Sequence, residues 1–594
     1  MGFGLPVFSF ATMARGIWLT PVFVSMAAGV LASPAEAQSP QAPSLLAPSL
    51  LAPSLVTPGD IAPASPLTSG PFLRRPVAPP PPAPAESSLA IDMGDVRIEG
   101  MFPEMAAANE AFIGSIAHRH VTLAQLYEAA HTLEQAYARR GYILARVVVP
   151  PQRLAPGGLV RVVVVDGFIE ELDLSHLAPP LRALVGARLQ PLAGCRHVTQ
   201  AAIERALLLA GNLAGAHLRS AIAPGSITGG VRLVVEGGFR RVDSQIGTDN
   251  SLPASLGQWQ VTGNLALNNP LGIGDQLYLS TGTQTEIGRY GFPRSPLTML
   301  GAGDVLPLGH GGMTLTGEYL SSRVQPGAMA GAPQSVGNYT RGLVRLSVPA
   351  ILTRRETLNF TTSAEMITQS ETLSAFGVQV SRDHYLVWRL GVNGQGDFAA
   401  VPVTIDAVLS RGLAGRDGTL TLPVSRQGAS PHFTNLKATV QVTLPGPDGC
   451  ALDLTARGKT GFGKPQFVSE QFALDAENAV SAFPGGSLDV DAGVTLRAEL
   501  RAPPLVLWRS ASIVPYLFGA GGWGWVVRPT AVEQAGSGYY AAGAAGLGGR
   551  VVLSSLPFLK GSSMIIGLEF GYGFSNVAGL KGGEQTNVRV GVWF

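Results

Sequence analysis

Few residues of this chain are spaced for bond-making chemistry. No Gly-x-Ser-x-Gly turn offers a serine nucleophile and no His-Glu-x-x-His pair offers a zinc site. Gly458-Lys459-Thr460 ends like a phosphate loop but lacks the upstream glycine that lets backbone amides wrap a phosphate. Gly309-His310-Gly311-Gly312 is similar to an oxyanion-hole stretch, yet with no nucleophile elbow to serve it reads as a hairpin turn. Two cysteines, Cys195 and Cys450, exclude a four-thiolate metal site and a disulfide scaffold, and leave open one bridge in an oxidising compartment. No catalysis, cofactor or metal is expected. The side chains that remain are suited to packing and non-covalent contact.

Those side chains need elements to hold them. The chain has 594 residues, 46% hydrophobic and 14% charged, against roughly 25% charged in soluble domains. Past residue 40 no 18-residue apolar run is free of Gly and Pro; the best, Ser510 to Val527, carries Pro515 and four glycines. That suits strands better than a membrane helix. A hydrophobic composition without membrane helices leaves a closed membrane β-barrel. A net charge of +2 gives no field that argues for nucleic acid.

Residues 1–37 read as a secretory signal: Arg15 supplies charge, Ile17 to Ala32 an apolar core, and Ala35-Glu36-Ala37 a small-x-small cleavage site. Residues 38–88 read as a Pro-rich periplasmic linker, with Ala-Pro-Ser-Leu recurring at Ala42, Ala47 and Ala52. A proline every fifth residue favours extended chain.

Two small α/β modules follow, 89–167 and 168–238. In the first, Thr122 and Gln125 make a capping box, Leu126, Ala130, Leu133 and Tyr137 fall at helical spacing, and Gly141 ends the helix. Strands are predicted at Tyr142–Val149 and Leu159–Val165, and in the second module at Phe168–Leu174, Ala216–Ala223 and Gly230–Glu236, around a helix Gln200–Leu213. An open edge strand of such a sheet can take up an extended peptide. Tyr142, Leu144, Arg146 and Val148 in the first module, and His217 and Arg219 in the second, are the residues assigned to that contact.

From residue 239 to 594 the pattern has period two, predicting a 16-stranded antiparallel transmembrane barrel with starts near Arg240, Gly257, Asp275, Leu297, Gly312, Asn338, Glu356, Arg382, Val401, His432, Cys450, Leu488, Ser512, Gly536, Ser562 and Gln585. Ile566, Leu568, Phe570, Tyr572 and Phe574 alternate with Gly567, Glu569, Gly571 and Gly573; Val490 to Leu500 alternate with Asp491, Thr495, Arg497 and Glu499. One face meets lipid and the other a polar lumen, to which Asp491, Arg497 and Glu499 are assigned.

Tyr137 to Gln152, with its helix-ending glycine and Val-Val-Val-Pro-Pro-Gln, resembles the first polypeptide-transport-associated (POTRA) module of the two-partner secretion transporters, the TpsB or haemolysin secretion/activation proteins. Ile203 to Leu209 followed by Ala223-Pro224-Gly225 is similar to their second POTRA, and Asn268 to Leu277 to their turn into an early barrel strand. Arg497-Ala498-Glu499-Leu500-Arg501 looks like the strand after their sixth external loop. The resemblance covers roughly residues 95–594. It implies an outer-membrane transporter that captures one large secreted partner polypeptide through its periplasmic modules and exports it through the barrel. It also implies outer-membrane lipid and the barrel-insertion machinery as partners, with terminal Phe594 as the insertion signal. Barrel-assembly factors of the BamA or TamA kind are the alternative, though they have more modules as a rule.

Two departures stand out. The family's loop-six tip, Val-Arg-Gly-Tyr/Phe, corresponds to Val480-Ser481-Ala482-Phe483, without its arginine. The aspartate that pairs with that arginine in the family is missing too, since no Asp or Glu occurs from Ala502 to Val532. The loop is expected either to be anchored by other contacts, such as Phe483 packing, Asp491 and Arg497, or not to enter the lumen. The segment 38–58 cannot form the family's plug helix.

Overall fold

The computed structural model describes residues 90–594 apart from 154, 286–294, 328–333, 420–421, 509, 530–537, 557–560, 578–579 and 581. The expected signal, linker and plug segments lie outside the described residues.

The first module is a four-stranded sheet with two helices: β1 (Ala90–Glu99), α1 (Ala106–Ile116), β2 (His120–Thr122), α2 (Leu123–Arg139), β3 (Arg146–Val148) and β4 (Gly158–Val165). The sheet order is β2-β1-β4-β3, so β3 is an edge. Thr122 and Gln125 form the reciprocal cap, with Gln125 N–H donating to Thr122 Oγ1 at 3.2 Å and Thr122 N–H to Gln125 Oε1 at 2.8 Å. Leu126, Ala130, Leu133 and Tyr137 turn one face of α2 into the core.

β3 is shorter than the predicted Tyr142–Val149. After α2 the chain turns, Ala145 N–H reaching Tyr142 C=O at 3.2 Å. That turn sends Leu144 into the core of the second module rather than along a strand.

The second module contains β5 (Phe168–Asp173), α3 (Pro179–Leu189), α4 (Gln200–Gly211), β6 (Ala216–Pro224) and β7 (Gly230–Phe239), with sheet order β5-β7-β6. The sequence reading missed α3, which opens on Pro179-Pro180; proline is tolerated in a first helical turn, where its absent N–H has no partner to lose. The β6–β7 turn is fastened by Glu170, which accepts the Ser226 hydroxyl and the Ser226 and Ile227 amides. Those bonds, the hydroxyl's foremost, hold the Glu170 carboxyl below its usual range. The modules join where the His197 ring stacks on Phe102 at 4.0 Å and Gln200 N–H donates to Gly141 C=O at 2.8 Å.

The barrel follows: β8 (Val242–Asp249), β9 (Gln260–Asn268), β10 (Gln276–Gln284), β11 (Leu297–Leu308), β12 (Met313–Val324), β13 (Ser335–Leu352), β14 (Thr357–Leu373), β15 (Val378–Phe398), β16 (Val401–Gly415), β17 (Thr434–Pro445), β18 (Ala451–Thr460), a hairpin β19 (Phe472–Ala473) and β20 (Asp489–Val490), then β21 (Ala492–Arg501), β22 (Leu505–Trp508), β23 (Ala511–Trp525), β24 (Tyr539–Leu553), β25 (Ser563–Ser575) and β26 (Gly582–Trp593). β21 and β22 pair in succession with β23, so they form one stave and the closed wall has sixteen. Closure is between β26 and β8, and Phe594 extends it by donating its N–H to Ser244 C=O at 2.9 Å.

Each observed stave begins within four residues of its predicted start. Phe570, Tyr572 and Phe574 are more than half exposed on the outside, while Glu569, just before them, is buried within. Val490, expected on the lipid face, is fully buried in the β19–β20 hairpin instead. Helix α4 touches the rim of the barrel, where Arg205 donates to Pro349 C=O at 3.2 Å and Glu204 accepts from Arg354 N–H at 2.7 Å.

Candidate functional site: a lumen closed by an infolded loop

The segment 461–491 between β18 and β21 folds into the barrel. Its tip, Val480-Ser481-Ala482-Phe483, is buried throughout. Val480, Ala482 and Phe483 pack with Phe472 and Leu488 of the same loop against Tyr516 and Phe518 of β23. The wall makes room by lacking side chains. A Cβ on Gly573 of β25 would stand 2.8 Å from Ala482 C=O and 2.9 Å from the Phe483 ring.

Arg497 of β21 supplies the polar half of the anchor. It donates from Nη1 to Ser481 Oγ at 2.7 Å, from Nη2 to Glu569 Oε2 at 2.5 Å and from Nε to Glu499 Oε1 at 2.8 Å. Ser481 in turn donates to Glu569 Oε1 at 2.5 Å, and Asn587 of β26 donates to Ser481 C=O at 2.8 Å. Arg550 closes the far side on Glu499 at 2.7 Å, and Arg589 pairs with Glu477. The tip thus carries no charge of its own and is gripped by a cation on the wall, with the counter-acid on β25 instead of β23. Of the two outcomes left open by the sequence, the chain adopts the anchored one.

Both feet of the loop are tied as well. Glu470 accepts Arg389 Nη2 at 2.6 Å, Asn435 at 3.1 Å and the Tyr385 hydroxyl at 3.1 Å, while Arg389 also holds Glu365. Asp491 pairs with Arg426, from the segment joining β16 to β17, and accepts Val527 N–H at 2.7 Å and Gln466 N–H at 3.1 Å. Asp491 therefore belongs to the foot of the loop and not to the free lumen wall. Sequence reasoning missed Glu569, Glu470, Arg389 and Arg426. A lone carboxylate among the inward glycines of β25 was the available signal for Glu569; the partners of the others come from distant segments.

In the modules, Arg146 of edge strand β3 pairs with Glu134 at 2.7 Å and Val148 is exposed. Tyr142 and Leu144 do not share that edge. Tyr142 packs edge-on against Phe102 at 5.0 Å, and Leu144 is buried. On edge strand β6, His217 and Arg219 are exposed and alternate with buried Leu218 and Ser220. Cys195 and Cys450 are free thiols. Among the described residues no cluster of potential metal ligands occurs, and no helix is long and apolar enough to cross a membrane.

Comparison with known proteins decides the family. The family model for the haemolysin secretion/activation proteins ShlB/FhaC/HecB matches residues 231–549, more than half of the chain, and that of the ShlB-type POTRA domain matches residues 93–167. The chain belongs to the haemolysin secretion/activation family. Among curated relatives, the outer membrane transporter CdiB of Escherichia coli is 24% identical over 195 residues, 33% of each chain. The heme/hemopexin transporter protein HuxB of Haemophilus influenzae is 21% identical over 178 residues, 30% of this chain and 31% of its own. The matched stretch thus spans about a third of the length of these relatives. Solved CdiB structures share the fold: that from Escherichia coli at a TM-score of 0.64 and 19% identity, covering 87% of this chain and 93% of its own, and that from Acinetobacter baumannii at 0.58 and 15%, covering 88% and 95%.

Within this haemolysin secretion/activation protein, the infolded loop is the site where the wall and an inserted segment share buried charge. Breaking a buried pair by removing one partner costs about 3–5 kcal/mol, whereas exchanging whole pairs costs little. The arrangement therefore holds the loop firmly against the wall.

Proposed function

We propose that the chain is an outer-membrane transporter that exports one large partner polypeptide in unfolded form. The observation that carries this reading is a closed sixteen-stave wall around a polar lumen occupied by a loop tied to that wall through Glu470–Arg389 and Glu477–Arg589. Residues 89–167 and 168–238 act as periplasmic POTRA modules and 239–594 as the channel. The edges of β3 and β6, with Arg146, Val148, His217 and Arg219, capture an extended segment. The tip at Val480–Phe483 moves aside, and the wall residues Arg497 and Glu499 face the passing chain. No nucleotide and no catalytic step are used; folding outside the cell makes return unfavourable. Phe594 directs insertion by the barrel machinery into lipid.

Deleting the gene and comparing surface proteins tests this. Loss of one large, signal-bearing polypeptide is expected with other outer-membrane barrels unchanged. A general fall in barrels would overturn export in favour of barrel assembly.

A further inference from the structure

Nearly every cation of the lumen wall described above is answered by an acid: Arg341 by Glu318 at 2.6 Å, Arg389 by Glu365 and Glu470, Arg550 by Glu499. The β17–β18 wall differs. Lys437 and Lys459 are direct partners across the ladder, and Arg457, opposite Thr439, is next on the same face. That face is the inner one, because Asn435, two residues before Lys437, reaches Glu470. Among the described residues neither lysine makes an ion pair or hydrogen bond. Arg457 hydrogen-bonds Ala473 C=O at 3.4 Å and has Phe472 5.1 Å from its guanidinium; the infolded loop sets Asp475 in the field of Arg457 and Asp489 in that of Lys459.

Like charges placed directly opposite on a sheet repel; with the loop seated, Asp475 and Asp489 offset the triad, and once the loop moves aside the three cations lose those two acids. Glu470 is already saturated by Arg389, Asn435 and Tyr385. Asp406 stands opposite Thr439 on β16 and has contacts of its own. Lys437 is exposed to lumen water while Lys459 is only 8% exposed, which gives an approaching anion an outer and an inner cation. Toward the periplasmic end the same face continues with the neutral Thr439, Gln441, Thr443 and Thr455 and then Asp453, which Arg501 pairs at 3.4 Å.

We propose that Lys437, Lys459 and Arg457 form an anion-binding station on the lumen wall, which biases the open pore toward anions and receives the carboxylates of a chain in transit. The anion site stands on the geometry alone; only its use by cargo rests on the export reading. Charged rings in a narrow passage set ion selectivity in this way.

The test is the reversal potential of the purified full chain in a planar bilayer under a KCl gradient. Chloride preference is expected, and the chloride-to-potassium permeability ratio should fall roughly two- to five-fold in K437Q/K459Q. Heat-modifiable migration on gels checks that the variant has closed its barrel. If loop six keeps the resting pore shut, the same pair of lysines is compared in a background lacking residues 466–487. A ratio unchanged by the double substitution overturns the proposal. Polyglutamate added on the periplasmic side should interrupt the wild-type current more than polylysine; equal block by both overturns the cargo-facing half. Should gene deletion leave secretion intact while the permeability shift appears, the export reading falls and the anion site stands.

Discussion

Arg497 holds four acceptors at once, Glu499, Glu569, Ser481 Oγ and Ala479 C=O, and its side chain is 3% exposed. Arg497→Met leaves Glu569 without its cation, while Glu499 keeps Arg550, and should weaken loop anchoring by about 3–5 kcal/mol. Maleimide labelling from outside at an Ala482→Cys reporter should rise accordingly. Ser481→Arg sets a second guanidinium beside Arg497 and should raise labelling too, whereas Ser481→Arg with Arg497→Ser should restore protection, the cation having moved back to the tip. Unchanged labelling in Arg497→Met would show that apolar packing alone holds the loop. Arg497 and Ser481 were legible in the sequence as lumen and tip residues. Glu569 was not, because it lies 88 residues from Ser481 and meets it only once the wall has curved round. Alternation reports which face a residue occupies; it does not report which stave stands across the lumen.

At the scale of elements, the loop fits because β25 is hollowed where it passes. Gly573→Val should push Ala482 and Phe483 out of place and lower the thermal stability of the folded barrel, while Gly519→Ala, with nothing within 4 Å of the added carbon, should be near neutral. The measurement is the temperature at which the gel-resolved folded band is lost. In the first module, Thr122→Ala removes the Oγ1 that accepts Gln125 N–H at the start of α2 and should destabilise that module by about 1 kcal/mol, read as protease sensitivity of residues 90–167. The helix α2 was legible from cap, spacing and stop signal together. The strand after it was overread: Tyr142 to Val149 alternates well enough, but Leu144 is claimed by the second module's core, and tertiary packing overrides a local pattern. Helix α3 was missed because its leading prolines read as loop.

For the whole molecule, sixteen staves were countable in advance because each crosses with the same period and the turns between them are rich in Gly, Asn and Pro. Closure followed from the apolar composition, because an open sheet edge is not tolerated in lipid; the path of the loop inside the wall did not, because alternation says nothing about a segment between strands. The central claim is that a polypeptide passes through this lumen. A photo-crosslinking residue placed at Gln441, on the inner face, or at Val440, on the lipid face, tests it most directly in cells that make the transporter with its native secreted polypeptide. The account predicts a high-mass adduct with that polypeptide from position 441 and none from 440. Adducts from position 440 alone, or from neither position during active secretion, would contradict it.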